Sequence, residues 1–549
     1  MSVIRTRILR GGRGRMGDSQ QWTRRGCLGL GLGALGVAAL TACHTGSSSG
    51  GGPVVRTTKG QVRGVTDNGV SVFRGIPYAQ PPVGELRFAA PVPHAEWSGV
   101  TDADQFGPPP PQTPLPTSST GWKGRPDAWL TLNVWSLSIG NNRLPVMVWF
   151  YGGAFQSGSS ADPTFDGRML ARTGVVVVTV NYRVAVEGFT MIEGSPANRG
   201  LLDQVAGLQW VRANIAAFGG DPGNVTIFGQ SAGASSVTTL MTLPAAAGLF
   251  HRGIAESVAA RLQTPRLAAD IAGAIAGRIQ SRATLEDLRD VDPQRLADAY
   301  GAVVHDLPQY QDRWGYRMVV GGSLSGPVVD GSTVPTSPWK ALAAGMGRDI
   351  DLIVGHTRDE YNLAIAAAGG PSAVTATQIS DALRWLPPVP DGALAYREAY
   401  PGADDETLYQ LACSDSIYRM PSLHIAQAHT VGGGRTYLYE FAFGASVDGA
   451  AHTTEIPLVF GTLDSPNGTK LYGSTPTAAT VTLGDAMRAA WTSFAARGEA
   501  GWPAYSPDVQ PTQIFDAASR VAPYPEQNSE RIWANCSFDA ADLQLGTQR

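Results

Sequence analysis

Charge is scarce in this chain. Of 549 residues, 42 are Lys or Arg and 46 are Asp or Glu, 16% in all, for a formal net charge of −4. Disordered chains combine high charge with low hydrophobicity. A composition that is 43% hydrophobic excludes that class. No run of Lys and Arg occurs beyond the first 25 residues, and without a basic patch no nucleic-acid partner is expected. No apolar stretch long enough to span a bilayer is free of glycine breaks, which excludes a multi-span membrane protein. Internal repeats are missing, and the 66 glycines follow no collagen-like period. What remains is a long globular chain, large enough to bury roughly three quarters of its unfolded surface.

The basic residues that do cluster lie at the N-terminus. Arg5, Arg7, Arg10, Arg13, Arg15, Arg24 and Arg25 face only Asp18, and an apolar, Gly-rich run from Leu28 to Ala42 follows. A charged start, a short apolar stretch and small residues before a cut describe a signal peptide. Thr23-Arg24-Arg25 resembles a twin-arginine export signal. Leu40-Thr41-Ala42-Cys43 resembles a bacterial lipobox, in which Cys43 would carry lipid and become the mature N-terminus. The alternative is an ordinary secretory signal with a chance cysteine. The expected division is a signal peptide over 1–42, a flexible tether over 43–52 (His44 to Gly52 read HTGSSSGGG) and one globular domain over 53–549. The expected location is exported, as a cell-envelope lipoprotein or a secreted protein. Membrane contact is expected only through the Cys43 anchor, and the oligomeric state is left open.

Cysteine is nearly as rare as charged runs, with four in all. Cys27 leaves with the signal, and Cys43 would be lipidated. An even remainder in an exported protein permits one bridge, Cys413 to Cys536. A twin-arginine cargo folds first in a reducing compartment, where such a bridge does not form. Two free thiols are the competing expectation.

Within the body, three unalternating apolar runs stand out. Val146 to Phe150 ends at Gly152-Gly153, Val175 to Val180 reads VVVVTV, and Val225 to Phe228 ends at Gly229. Such runs mark strands buried on both faces of a parallel sheet. Leu201 to Ala217 carries apolar residues at helical spacing between the last two, completing a βαβ unit and implying α/β architecture. Leu352 to Gly355 and Thr436 to Phe441 look like later strands. Residues 53 to 135 hold short alternating pieces and a proline cluster, Pro108 to Pro111, suggesting an antiparallel edge with surface loops. Residues 261 to 320 and 371 to 430 have helical periodicity and read as insertions over one end of the sheet.

Gly229-Gln230-Ser231-Ala232-Gly233 follows a buried strand and precedes a helix-compatible segment. This is the context of a G-x-S-x-G nucleophile elbow, in which the serine sits on a sharp, strained turn. Side chains two residues to either side would collide there, and both positions are glycine. A serine hydroxyl is a weak nucleophile near neutral pH and needs a base, a carboxylate to orient the base, and donors for the developing oxyanion. Gly152-Gly153-Ala154, after the first strand, lets backbone approach a substrate closely. The expected donors are the N–H groups of Gly153, Ala154 and Ala232.

On these residues the chain resembles the type-B carboxylesterase and cholinesterase family of α/β hydrolases, from about Val54 to Phe538. Phe73 to Ala79, Pro81 to Gly84 and Arg87-Phe88 match its N-terminal segment. Asn198 to Gly233 (NRGLLDQVAGLQWVRANIAAFGGDPGNVTIFGQSAG) matches its most recognisable block, and Asp330-Gly331, Gly355 to Glu360 and His452 to Gly461 follow in family order. The resemblance implies an α/β-hydrolase fold: a mostly parallel central sheet, helices on both faces, and helical insertions over the active site. It implies Glu360 as the triad acid and His452 as the base, in the chain order Ser231, Glu360, His452. Sequence alone does not choose His452 among eight histidines, and Asp359 competes with Glu360. His251, His356, His424 and His429 read as surface or core residues.

Three departures from the family stand out. Gln230 replaces the usual Glu before the nucleophile, which removes a negative charge and should weaken attraction for cationic choline esters. Tyr361 replaces the usual Gly after the acid and should reshape the site. The family's late cysteine matches Cys536, but its usual partner aligns nearer Met420 than Cys413.

The expected activity is serine carboxylic-ester hydrolysis through an acyl-enzyme, with a small-molecule ester as substrate. A catalytically inactive binding protein and an interfacial lipase are the alternatives. No cofactor or metal is expected; His424 and His429 are five apart and lie on different helix faces.

Overall fold

The computed structural model describes residues 51–113, 128–140 and 142–544. The expected signal peptide over 1–42, Cys43 and the tether up to residue 50 lie outside the described residues.

Fourteen strands form among the described residues. In chain order they are β1 (Val54–Arg56), β2 (Gln61–Arg63), β3 (Val65–Asp67), β4 (Val70–Pro77), β5 (Val100–Asp102), β6 (Thr131–Ser136), β7 (Leu144–Phe150), β8 (Val176–Val180), β9 (Gly220–Gln230), β10 (Arg252–Glu256), β11 (Asp351–Thr357), β12 (Thr436–Phe441), β13 (Pro511–Phe515) and β14 (Arg520–Pro523). β1, β2 and β5 make a small sheet; the other eleven make one large sheet in the order β14-β13-β12-β11-β10-β9-β7-β8-β6-β4-β3. From β8 across β7, β9, β10, β11 and β12 to β13 every pairing is parallel. Both ends are antiparallel, through β6, β4 and β3 on one side and β14 on the other.

The parallel centre follows from composition. All five residues of β8, Val-Val-Val-Thr-Val, are buried, as a strand covered on both faces requires. Trp149 on β7 meets Phe165, Phe228 and Phe460 at ring separations of 5.2, 4.8 and 5.0 Å, tying the central strands to the helix Ile456–Phe460. The helix Arg199–Asn214 carries the chain from β8 to β9. Its Asp203 holds Arg183 through Nε and Nη2, both at 2.8 Å, with both side chains out of water. That buried pair fixes the loop after β8 against the crossover helix.

Two helical excursions leave the sheet. One contains Pro265–Arg278, Pro293–His305 and Tyr316–Gly321. The other contains Ala376–Trp385, Gly392–Ala399, Asp405–Ser414 and Met420–Val431. The last two helices of the second are joined by a π turn, Asp415–Arg419. They correspond to the helical insertions expected over 261 to 320 and 371 to 430.

The candidate bridge is corrected here: Cys413 and Cys536 are free thiols. Cys413 is fully buried in a cluster with Tyr316, Ile365, Ala382, Leu386 and Tyr409. Cys536 packs against the main core instead, beside Arg317, whose guanidinium offsets part of the upward push of burial on its thiol. The two sulfurs belong to separate packing units, and an even count could not reveal that.

Beneath the C-terminal edge of the central strands lie two carboxyls without a cation. Glu256 ends β10, is fully buried, and accepts from Trp491 Nε1 at 2.8 Å, while its Oε2 has no partner. Neither oxygen of buried Glu455 has a partner. Burial raises the Glu256 pKa; burial, then the charges of Glu256 and Glu360, raises that of Glu455. A carboxyl raised above its unfolded value keeps its proton in the native state where the unfolded chain has lost it. Stability is then full below the ordinary carboxyl range and falls as pH rises toward the folded value. Glu455→Gln should flatten that fall: thermal melts between pH 5.5 and 8.5 should decline with pH more steeply for the wild type than for the variant, by about 1.4 kcal/mol per unit of raised pKa. Parallel pH profiles would show that the carboxyl is ionised in the fold.

Candidate active site

The centre is the turn between β9 and the helix Ala232–Leu240. Ser231 sits there at φ 59° and ψ −120°. That is outside the ordinary left-handed region, and such a conformation costs of order 1–3 kcal/mol. The flanking glycines are sterically required. A Cβ at Gly233 would lie 1.9 Å from the Phe150 carbonyl oxygen, and one at Gly229 would lie 2.6 Å from the Gly233 backbone. The turn is also tied down from β10, since Ser231 N–H donates to the Glu256 carbonyl at 2.8 Å.

Facing this turn is the loop after β7. Gly153 has φ 116°, and a Cβ there would meet the Ser157 carbonyl at 2.1 Å. Ala154 and Phe155 also have positive φ, at 57° and 58°. The loop is held by Gln156 and Ser157 N–H groups donating to the Gly153 carbonyl, at 3.0 and 3.1 Å. The N–H groups of Gly153 and Ala154 have no protein acceptor among the described residues. Ala232 opens the following helix, so its N–H is among those a helix leaves without an internal acceptor. The loop that carries Gly153 and Ala154 lies against the elbow at Gly152, where a Cβ would come 3.1 Å from the Ser231 Cβ.

His452 and Glu360 meet directly. Glu360 Oε2 accepts from His452 Nδ1 at 2.6 Å, and its Oε1 accepts from Thr357 N–H at 2.9 Å. Glu360 is buried, and burial pushes its pKa up. The facing imidazole of His452, the Ser257 hydroxyl and His356 more than offset this, so the carboxyl stays below its ordinary value and ionised. Asp359 points elsewhere, pairing with Arg358 at 3.0 Å and accepting from Ala450 N–H at 3.1 Å. Of the two competing carboxylates, Glu360 is the one at the imidazole. The other histidines weighed as candidates are engaged elsewhere: His356 Nε2 with the Tyr524 hydroxyl at 2.9 Å, His429 Nδ1 with the Thr436 hydroxyl at 2.8 Å, His251 Nδ1 with Val225 N–H at 3.2 Å. His424 packs edge-on against Phe538.

Gln230 faces the same imidazole. Its Nε2 lies 3.2 Å from His452 Nδ1 and 3.1 Å from Nε2. The sequence placed Gln230 beside the serine; its contact with the histidine ring emerges only from the fold. Tyr361 turns outward from the acid, donating its hydroxyl to the Val320 carbonyl at 2.9 Å and its N–H to the Ser414 hydroxyl at 3.0 Å. It thereby ties the acid loop to both helical excursions.

Two residues had no signal in the sequence. Tyr418, on the π turn, stacks on His452 with ring centroids 4.0 Å apart and planes at 27°. Its hydroxyl faces both Arg261 and Ser231; burial raises its pKa, and those two side chains offset part of the rise. Arg261 follows β10 by five residues and donates from Nη2 to the Gly321 carbonyl at 2.6 Å. Helical periodicity around 261 and 418 says only that helices are near, and π turns of this kind recur at functional sites.

The chain is similar along most of its length to characterised proteins. A model described as the carboxylesterase family matches residues 51–537. The para-nitrobenzyl esterase of Bacillus subtilis (strain 168) is 35% identical over 497 residues, covering 87% of this chain and 98% of that protein. The phenmedipham hydrolase of Pseudarthrobacter oxydans is 32% identical over 83% of this chain and 93% of that one. A solved carboxylesterase of Geobacillus stearothermophilus has a TM-score of 0.77 at 34% identity, covering 87% of this chain and 99% of its own. The eleven-stranded sheet with its helical excursions is thus the α/β-hydrolase fold. With similarity running through nearly all of the described residues, the chain belongs to the carboxylesterase family and is a carboxylesterase.

Proposed function

We propose that ester cleavage runs through Ser231, His452 and Glu360 by way of an acyl-enzyme. The observation that carries this reading is the 2.6 Å contact of His452 Nδ1 with the ionised Glu360, beside a serine held in a strained turn. Glu360 fixes the tautomer with the proton on Nδ1, leaving Nε2 as the base. Ser231 Oγ attacks the ester carbonyl carbon as Nε2 takes its proton. The carbonyl π pair moves to oxygen, and that oxyanion is received by the Gly153, Ala154 and Ala232 N–H groups. The imidazolium then protonates the leaving alkoxide as the C–O bond breaks. Water, deprotonated by His452, attacks the acyl-enzyme, and collapse returns the carboxylic acid and free Ser231. All three triad side chains are present, which argues against an inactive binding protein.

Ser231→Ala should lower kcat by on the order of 10⁴-fold or more and abolish fluorophosphonate labelling, with melting temperature retained. His452→Ala should lose activity more severely than Glu360→Gln, because the base moves the proton and the acid orients and balances it. The losses should not add in the double variant. An Asp359→Asn variant more damaged than Glu360→Gln would overturn the choice of acid.

Gln230 supplies a neutral amide where a carboxylate would put negative charge against the base. The wild type should therefore show little preference for a choline ester over its uncharged isostere. Gln230→Glu should raise that preference. The new charge favours imidazolium, so deprotonating the base needs higher pH and the acidic limb of the pH–rate profile should move up by about one unit. Measuring kcat/KM for both esters from pH 5 to 9 checks this, and an unmoved limb would exclude an electrostatic role for position 230.

The N-terminal sequence supports export as a lipoprotein anchored at Cys43. Stable anchoring takes more than one acyl chain, which a lipidated N-terminal cysteine supplies. Cys43→Ser should move the protein from the membrane to the soluble fraction on fractionation. A soluble wild type with another N-terminal residue would overturn the anchor.

A further inference from the structure

Arg261 is a cation without a counter-ion. Among the described residues no carboxylate lies within ion-pair distance of it, whereas most of the protein's buried guanidinium groups face carboxylates, as Arg87 faces Glu187, Arg183 Asp203 and Arg419 Asp415. Its Nη2 is satisfied by the Gly321 carbonyl. Its Nε is shielded from water and has no partner among the described residues. The residue itself remains partly exposed, as do Tyr418, Val320 and Gly321 around it. The guanidinium is therefore reachable while one of its donors stays dry. Absence of a side chain at Gly321 makes room for it, since a Cβ there would lie 3.2 Å from Nη1.

Its position relative to the reacting atom is set by Tyr418. That ring lies on His452; Ala260 N–H donates to the Ile417 carbonyl at 3.2 Å, which sets Arg261 beside the Tyr418 turn, and the segment after Gly321 is tied to the loop after β7 by the Ser323 hydroxyl, which donates to the Ala154 carbonyl at 2.8 Å. The other charges near the base do not compete for this cation: Glu360 is committed to His452 and Thr357, and position 230 is an amide. A planar fork of donors with one unused face suits a carboxylate better than any neutral group.

Resting on the ester-hydrolase reading above, we propose that Arg261 forms an anion subsite and that the preferred substrates are esters bearing a second carboxylate a few bonds from the scissile carbonyl. The carboxylate docks on Arg261 while the ester carbonyl sits between Ser231 and the three backbone donors. The reaction is unchanged: the ester C–O bond breaks, water supplies the hydroxyl and the proton, and the distal carboxylate stays ionised throughout.

The test pairs each anionic ester with its methyl-blocked neutral counterpart. p-Nitrophenyl hemiglutarate is set against its methyl ester, and 4-acetoxybenzoate against methyl 4-acetoxybenzoate. For the wild type, kcat/KM should favour the anion tenfold or more in at least one pair, and the ratio should shrink as salt is raised. Arg261→Gln should bring that ratio to about one or below, and Arg261→Lys should keep part of it. Reading a ratio within each variant cancels any general loss of folding or of Tyr418 placement. Equal or better turnover of the neutral esters by the wild type, or an undiminished ratio in Arg261→Gln, would overturn the subsite. Ser231-dependent turnover of p-nitrophenyl acetate in that case leaves the ester-hydrolase reading standing. No turnover of any ester, with no fluorophosphonate labelling, would remove both.

Discussion

The steric fit of the Gly229–Gly233 turn is the constraint on which the rest of this structure depends. Ser231 is forced to φ 59° and ψ −120°, and that conformation persists only if the surroundings leave no alternative. They do so through backbone: the Phe150 carbonyl at the end of β7 lies where any Cβ on Gly233 would go, and the Glu256 carbonyl at the end of β10 takes the serine N–H. Those two strands flank β9 in the sheet, so the turn is clamped from both sides by its neighbours. The aromatic contacts of Trp149 keep the strands in register beneath it. The large apolar core thus stabilises the protein and also holds one residue in a conformation it would otherwise leave.

The chemistry of the elbow was legible from the sequence because each element had a sterically specific spelling. Two glycines around a serine, a β-branched run before them and Gly152-Gly153 after another strand admit few structures. The long strands were also legible: β12 spans Thr436–Phe441, the run that reads as a later strand. The acid and base were not legible from physics alone. Glu360 and His452 stand 92 positions apart, and only the resemblance paired them. The fold then gives the pairing a physical reason, because Asp359 is drawn off by Arg358 and by Ala450 N–H.

What the sequence left unread was side-chain placement by long insertions. Tyr418 and Arg261 come from segments with ordinary helical periodicity, and nothing in that periodicity says which residue will reach the serine. The π turn over Asp415–Arg419 re-aims one side chain within a helical run, and no composition rule marks it. The same limit explains the cysteines. An even count is compatible with a bridge, but Cys413 and Cys536 pack in different clusters, and only the packing decides between bridge and free thiols.

Around the reacting atoms the charges form a consistent pattern. Glu360 is ionised but matched by the imidazole it holds. Glu256 and Glu455, close behind the turn, are pushed by burial toward their neutral forms, and Gln230 adds a dipole where a carboxylate would add charge. Arg261 adds a cation that has no carboxylate partner among the described residues. Ester cleavage develops negative charge on the carbonyl oxygen, and a site with no excess anion near the serine opposes that charge least. Retained protons on the buried carboxyls serve this end at a distance, since ionising either would place a negative charge in low dielectric behind the developing oxyanion. Neutral carboxyls, a neutral amide and a guanidinium with no carboxylate partner therefore act in one direction: the protein body is mildly acidic overall, but the field at Ser231 is left favourable to an anion, whether it forms during the reaction or arrives on the substrate.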